Sequence, residues 1–151
     1  MTRRTRHTDA SEARRRKPKA IVFDSWAVLA YLQGESASEH LADVVADALH
    51  GEIPILMSVV NVGEVWYILA REVSADEADK SVASLRSWGT QFVDIDWSLA
   101  HEAAVLKSRF KISYADAFAA ALAKLRRADL VTGDPEFEPL VDYTRIHWLR
   151  Q

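Results

Sequence analysis

Four acidic residues stand where carboxylates could work together: Asp24, Glu64, Asp116 and Asp134. Two of them directly follow short apolar runs that read as buried strands, and two lie in helical patterns whose apolar faces would pack on the same sheet. Four carboxylates gathered at one edge of a sheet would repel each other and could not all ionise without a cation. Oxygen ligands without Cys or His favour a hard metal, Mg²⁺ or Mn²⁺. We therefore predict a divalent-metal site, whose chemistry suits hydrolysis of a phosphate ester.

Each acidic residue also has a purely structural explanation when it is taken alone. Asp24 can cap the helix that follows it, and Asp134 can cap a helix that has Pro135 at its first position. Asp116 completes the capping box that begins at Ser113. The prediction of a metal site therefore depends on the four residues meeting in space.

Glu64 is the residue that capping explains least. It lies in the apolar segment VVNVGEVWYILA, and its neighbours at helical spacing include Val60 and Ile68, so we expect its face to be packed. A partly buried carboxylate needs a cation or hydrogen-bond donors to offset its lost hydration. Gly63 beside it costs a helix up to about 1 kcal/mol relative to Ala, and we interpret it as a point of close backbone approach. A Glu that simply points to solvent is the alternative.

Short apolar strands alternate with longer amphipathic helices along the chain. This alternation predicts an α/β fold with a parallel sheet of about four or five strands between two layers of helices. The strands are expected over residues 20–23, 53–57, 92–95, 129–132 and 144–148. The helices are expected over residues 25–33, 38–49, 59–71, 75–88, 97–110 and 114–127. In a parallel sheet the carboxyl ends of the strands share one edge, which is where α/β proteins bind their ligands.

The composition bounds the class of protein. The chain has 151 residues, of which 49% are hydrophobic and 27% charged, and this suits one globular domain. It contains no cysteine, which excludes disulfides, thiolate metal sites and a cysteine nucleophile. The apolar runs are too short for a membrane span and no signal-peptide pattern is present, so we expect a cytoplasmic protein that does not bind membranes.

Positive charge is concentrated at the beginning of the sequence. Residues 1–19 hold eight Lys or Arg against two acidic residues, a net charge of +6, whereas residues 20–151 hold 11 basic and 20 acidic residues, a net charge of −9. We interpret residues 1–19 as a basic, disordered leader and residues 20–151 as the folded domain. Contact of the leader with nucleic-acid phosphates or with an acidic partner is the alternative.

Four segments in fixed order carry a family resemblance: VFDSWAVLAYL, SVVNVGEVWYIL, ISYADAFAAALA and LVTGDPEF. Together they resemble the PIN domain, and most closely the VapC-type toxin ribonucleases, over residues 20 to about 148. The resemblance implies an Mg²⁺-dependent endoribonuclease that forms a homodimer and is held inactive by a cognate antitoxin. It also implies hydrolysis of RNA by in-line attack of water, leaving 5′-phosphate and 3′-hydroxyl ends.

The same resemblance assigns roles to individual residues. Asp24 and Asp116 would bind the metal most directly, while Asp134 and Glu64 would complete or orient its water shell. A small hydroxyl residue follows the first acid and another precedes the last. These residues, expected to donate hydrogen bonds around the site, are Ser25 and Thr132.

Two other functions fit parts of this pattern. A metal-dependent phosphatase built on an acid-ended first strand requires a second Asp shortly after the first, and Ser25, Trp26 and Ala27 do not supply one. A phosphate-binding GxxxxGK loop is also absent from the sequence. A non-catalytic PIN-like module that binds RNA or a protein partner is the other alternative, and the presence of all four acids argues against it.

Overall fold

The computed structural model describes residues 17–150, which form a five-stranded parallel sheet with helices on both faces. The strands are β1 (Ile21–Phe23), β2 (Ile55–Ser58), β3 (Thr90–Val93), β4 (Asp129–Thr132) and β5 (Ile146–Trp148). The helices are α1 (Ser25–Leu32), α2 (Ala37–His50), α3 (Val59–Glu72), α4 (Ala75–Ser87), α5 (Trp97–Arg109) and α6 (Tyr114–Leu125), with a 3₁₀ helix at Pro135–Leu140. The predicted α/β fold is confirmed.

The sheet has the strand order β3-β2-β1-β4-β5, and every neighbouring pair is parallel. The first strand therefore lies at the centre, where both of its faces are covered. Val22 packs into the core beneath α5 and α6, whereas Ile21 and Phe23 pack into the core beneath α1 to α4. Alternate residues of a strand point to opposite faces, so three apolar residues in a row join both cores. This requirement explains the IVF sequence before Asp24.

The helix α6 is buried on all sides along most of its length. Every residue of the run 117–123 is buried, and five of these seven residues are alanine. Small side chains let this helix approach both the sheet and α5 closely. The close packing brings the first turn of α6 to the carboxyl-terminal edge of the sheet.

Four of the five strands differ from their predicted bounds, and the reason is clear for one end of the second and of the third. The third strand was predicted to reach Ile95 but ends at Val93, because Val93 pairs with Ser58, the last residue of β2. Beyond that point α3 has begun, so Asp94 and Ile95 have no strand partner. The second strand begins after Pro54, which has no N–H to donate to a ladder.

Two further sequence predictions concern membranes and the leader. No helix within residues 17–150 is long and apolar enough to cross a bilayer. The predicted leader falls almost wholly outside the described residues: residues 17–19 have no regular secondary structure, and the prediction for residues 1–16 stays a prediction.

Candidate active site

Asp24 follows β1 directly and is buried, with 1% of its surface exposed. It is the N-cap of α1, and its Oδ1 atom accepts a hydrogen bond from the backbone N–H of Ala27 at 2.9 Å. The other oxygen, Oδ2, accepts one from the Thr132 hydroxyl at 2.5 Å. Capping and site formation are thus not alternatives here, because one carboxylate oxygen caps the helix and the other faces the end of β4.

Thr132 joins the first and last of the four predicted acids. It is the final residue of β4, which pairs with β1, so it lies beside Asp24 at the same edge of the sheet. Its hydroxyl donates to Asp24 and accepts from the backbone N–H of Asp134 at 3.1 Å. The geometry therefore agrees with the hydrogen-bonding part predicted for Thr132.

A close group of three carboxylates lies next to this pair. Oxygen atoms of Asp116, Asp134 and Glu136 all lie within 4.8 Å of one another. Asp116 is in the first turn of α6, where Ser113 caps the helix by accepting from its backbone N–H. The backbone N–H of Glu136 in turn donates to Asp134 Oδ1 at 2.9 Å. Glu136 was not predicted, and its spacing gives no signal for it, because residues two apart in a helix do not face each other.

Glu64 lies on α3 and is half-buried, outside this group of three. Its negative charge nevertheless contributes to raising the pKa of Asp116, so it lies near that carboxylate. Gly63 does not mark a close backbone approach as predicted, since a methyl group built on it meets no atom within 4 Å. The structure thus brings all four predicted acids to one region and adds Glu136. We call these five residues the acidic site.

The acidic site carries carboxylates that are poorly placed to ionise. Burial is the main cause that raises the pKa of Asp24 to about 8, and the negative charges of Asp116 and Asp134 raise it further. The hydrogen bonds from Thr132 and Ala27 act in the opposite direction and lower the pKa. Burial also raises the pKa of Asp116 to about 7, together with the charges of Asp134, Glu64 and Glu136. Removing a proton from either group becomes easier once a cation is near.

Asn61 connects the segments that carry the acids. It is fully buried one turn before Glu64. Its side-chain N–H donates to the carbonyl of Ala115 at 3.0 Å, and its Oδ1 accepts from the Ser58 hydroxyl at 2.6 Å. Its own carbonyl accepts from the Ser25 hydroxyl at 3.3 Å. Ser25 therefore contacts α3 and not a carboxylate of the site. A buried Asn within an apolar run was the available signal for this network, and the sequence prediction missed it.

The loop after β4 has no room for a side chain at its first residue, Gly133. A Cβ on Gly133 would lie 2.3 Å from two ring atoms of Trp26. Gly133 stands between Thr132 and Asp134, so the Trp26 ring fixes the course of the backbone that carries both residues. Any larger residue would have to displace the ring or the loop.

The donor set fits a hard divalent cation. All five groups of the acidic site are carboxylates, the ligands that Mg²⁺ and Mn²⁺ prefer. Within residues 17–150, Asp116, Asp134 and Glu136 are the one group of three or more potential metal ligands whose donor atoms are mutually close. A cation there would offset both the carboxylate repulsion and the burial of Asp24.

Comparison with solved structures shows the same fold in several proteins at low sequence identity. A chain of VapBC2 from Rickettsia felis, bound to a DNA fragment of its promoter, matches with a TM-score of 0.69 and 13% identity, covering 87% of this chain and 99% of that one. VapC20 of Mycobacterium tuberculosis, described as a Sarcin-Ricin loop cleaving toxin, matches with a TM-score of 0.60 and 20% identity, covering 80% of this chain and 94% of that one. VapBC-5 of the same organism, a member of the VapBC family of toxin-antitoxin systems, matches with a TM-score of 0.60 and 19% identity. The match covers 89% of this chain and 100% of that one.

Comparison by sequence gives one positive result. No curated protein matches significantly. The family model for the PIN domain matches residues 21–141, which include every residue of the acidic site. This chain belongs to the PIN-domain family.

Proposed function

We propose that this protein is an Mg²⁺-dependent endoribonuclease, the toxin of a toxin–antitoxin pair, with the acidic site as its catalytic centre. The observation that carries the proposal is the convergence of carboxylates from four separate chain segments at one edge of the sheet. Membership of a nuclease family supports it, and so does the fold shared with a Sarcin-Ricin loop cleaving toxin. Mn²⁺ is the other metal that the donor set accommodates.

The residues divide the work according to burial and contacts. Asp24, Asp116, Asp134 and Glu136 would hold the cation, and Glu64 would orient its water shell. When bound, Mg²⁺ lowers the pKa of water and stabilises charge that develops on phosphate. Thr132 keeps Asp24 Oδ2 in place, and the Ala27 N–H keeps Oδ1 in place. Because Asp24 is buried, its carboxylate is shielded from bulk water and stays pre-organised.

The proposed partners follow from the same reasoning. The RNA substrate would place one phosphodiester against the acidic site in the cytoplasm. A cognate antitoxin would hold the protein inactive, and the fold shared with a member of the VapBC family of toxin-antitoxin systems supports this partner. We also propose a homodimer, which light scattering of the purified protein would test against a mass of 17.0 kDa per chain.

Cleavage of RNA in three conditions tests the proposal: Mg²⁺, EDTA, and Mg²⁺ with Asp24→Asn. We expect cleavage only by the wild-type protein with Mg²⁺, and products with 5′-phosphate ends. Asp43→Asn is the matched control, because Asp43 is an exposed carboxylate on α2 and its loss should leave the activity unchanged. Cleavage in EDTA, or full activity of Asp24→Asn, would contradict the mechanism.

The alternatives give different results in the same preparation. A non-catalytic PIN module would bind RNA without cleaving it in any condition. A phosphatase would release phosphate from p-nitrophenyl phosphate, which a nuclease of this kind leaves intact. Residues 25–27 supply no second Asp for that chemistry, so we expect no phosphate release.

A further inference from the structure

The edge of the sheet opposite the acidic site is strongly basic. A concavity of about 320 Å³ lies where β1, β4 and β5 begin, and its lining includes five cationic residues. We call these residues the basic face: Lys17, Lys19, Lys124, Arg127 and Arg145. The one acidic residue in the lining is Asp129, whose carboxylate already pairs with Arg145 at 2.8 Å.

This accumulation of positive charge is unusual for the chain as a whole. The protein has a net charge of −3, and residues 20–151 alone have a net charge of −9. Yet five of the 13 Lys and Arg residues within residues 17–150 line this one concavity. The cations of the basic face therefore lie at the edge of the sheet opposite the carboxylates of the acidic site.

We propose that the basic face binds the phosphate backbone of the RNA substrate at a distance from the scissile bond, an inference that rests on the proposed ribonuclease function. An acidic site on an acidic domain repels RNA at long range, so attraction has to come from another surface. The other residues that line the concavity are Pro18, Ala123, Ala128, Tyr143 and Thr144. They offer no broad apolar area for a membrane or a protein core to cover.

The dimensions allow one RNA to reach both edges of the sheet. The strand β4 runs from Asp129 beside the basic face to Thr132 at the acidic site, a distance of about 10 Å at about 3.3 Å per residue. The path around the sheet follows the edge strand β5, which has exposed arginines just outside its two ends, Arg145 and Arg150. A folded RNA with its cleavage site at the carboxylates can therefore lay a neighbouring segment on the basic face.

Two double variants with equal charge changes test this proposal. Lys124→Gln/Arg127→Gln removes two cations of the basic face, and Lys80→Gln/Arg86→Gln removes two exposed cations of α4, beside the opposite edge strand β3. Both pairs include one cation that lies over an aromatic ring, Lys124 over Tyr143 and Arg86 over Phe92. Arg127 has a φ of +51°, which Gln tolerates as Arg does because both are unbranched at Cβ. Thermal melts check that both variants fold.

Binding is measured by fluorescence anisotropy of labelled transfer RNA across a range of NaCl concentrations, in EDTA so that no cleavage occurs. We expect the basic-face variant to lose affinity about tenfold or more at low salt, and its slope of log K against log salt to fall by about 1.4 to 1.8. The α4 variant should bind as the wild type does. Equal losses of RNA affinity in both variants, or no loss in either, would overturn the proposal. So would a basic-face variant that loses as much affinity for polyglutamate, an acidic polypeptide, as it loses for RNA.

The outcome is separable from that of the proposed function. If wild-type protein fails to cleave RNA with Mg²⁺ but the basic-face variant alone loses RNA affinity, then the ribonuclease proposal fails and the basic face remains a binding surface. If wild-type protein cleaves RNA and the basic-face variant binds normally, the ribonuclease proposal stands and this inference is wrong.

Discussion

Asp24 combines two requirements that oppose each other. Its buried position and its two hydrogen bonds hold the carboxylate in one place, as a metal ligand requires. The same burial raises its pKa to about 8, so the folded protein without metal retains a proton that the unfolded chain releases. Asp24 therefore lowers the stability of the metal-free fold progressively as the pH rises from about 4 to about 8.

We expect Asp24→Asn to stabilise the metal-free protein at pH 8 while abolishing RNA cleavage. The Asn side-chain oxygen can still accept the hydrogen bond from the Ala27 N–H, and its amide N–H can donate to the Thr132 hydroxyl oxygen. Unlike Asp, it does not ionise. The variant should melt several degrees above the wild type at pH 8 in EDTA, since about 1 kcal/mol shifts the melting temperature of a domain of this size by about 2–4 °C. The difference should vanish near pH 4. A variant that melts below the wild type at pH 8 would show that the carboxylate is not destabilising.

At the scale of elements, the buried contacts around Asn61 fix the start of α6 relative to α3. Ser58 ends β2 and caps α3, and Asn61 reaches from α3 to the backbone just before Asp116. The helices that carry Glu64 and Asp116 are therefore connected by side-chain hydrogen bonds as well as by apolar packing. A buried polar network of this kind specifies one arrangement when all of its groups are satisfied.

Two serine caps with the same bond give a matched test of this network. Ser58 and Ser74 both accept a hydrogen bond at 3.1 Å from the backbone N–H three residues later, and each Ala variant should lose about 1 kcal/mol of stability for that bond. Ser58→Ala also leaves Asn61 Oδ1 buried without its donor, at a further cost of about 1–3 kcal/mol. We expect RNA cleavage to fall about tenfold or more in Ser58→Ala, because small misplacements of catalytic groups are costly, and to stay unchanged in Ser74→Ala. Equal activities of the two folded variants would show that the network does not position the site.

At the scale of the whole molecule, the acidic site joins distant parts of the chain. Its residues come from the end of β1, from α3, from α6 and from the segment after β4. Separate segments of the unfolded chain hold no such site, so an ion bound there stabilises the folded state as a whole. The placement of the acidic site and the basic face at opposite edges of the sheet is likewise a property of the complete fold.

We expect Mg²⁺ to raise the melting temperature at pH 8 and to raise it less at pH 5.5. The pKa values of about 8 for Asp24 and about 7 for Asp116 mean that protons compete with the ion increasingly as the pH falls. At an ion concentration of one hundred times Kd the stabilisation is about 3 kcal/mol. Differential scanning fluorimetry over an Mg²⁺ titration would measure this stabilisation.

The variant Asp116→Asn should lose the stabilisation by Mg²⁺, while Asp142→Asn, which alters an exposed carboxylate outside the site, should keep it. An equal response in Asp116→Asn would place the ion elsewhere.

The sequence by itself determined the elements and the four candidate acids. The run IVF before Asp24 required a strand buried on both faces, and Ser113 marked the start of a helix because capping chemistry is local. Hydrophobic period and caps depend on neighbours a few residues away, so they can be read along the chain. The end of β3 could not be read in this way, since it depends on where its partner β2 stops.

Only the tertiary structure decided which groups meet. The approach of Glu136 to Asp116, the bond from Thr132 to Asp24 across 108 residues, and the role of Asn61 between two helices depend on strand order and helix packing. The basic face likewise arises because the beginnings of three strands that are distant in sequence are neighbours in the sheet. Long-range contacts of this kind follow from how the whole core packs, and no local pattern of residues encodes them.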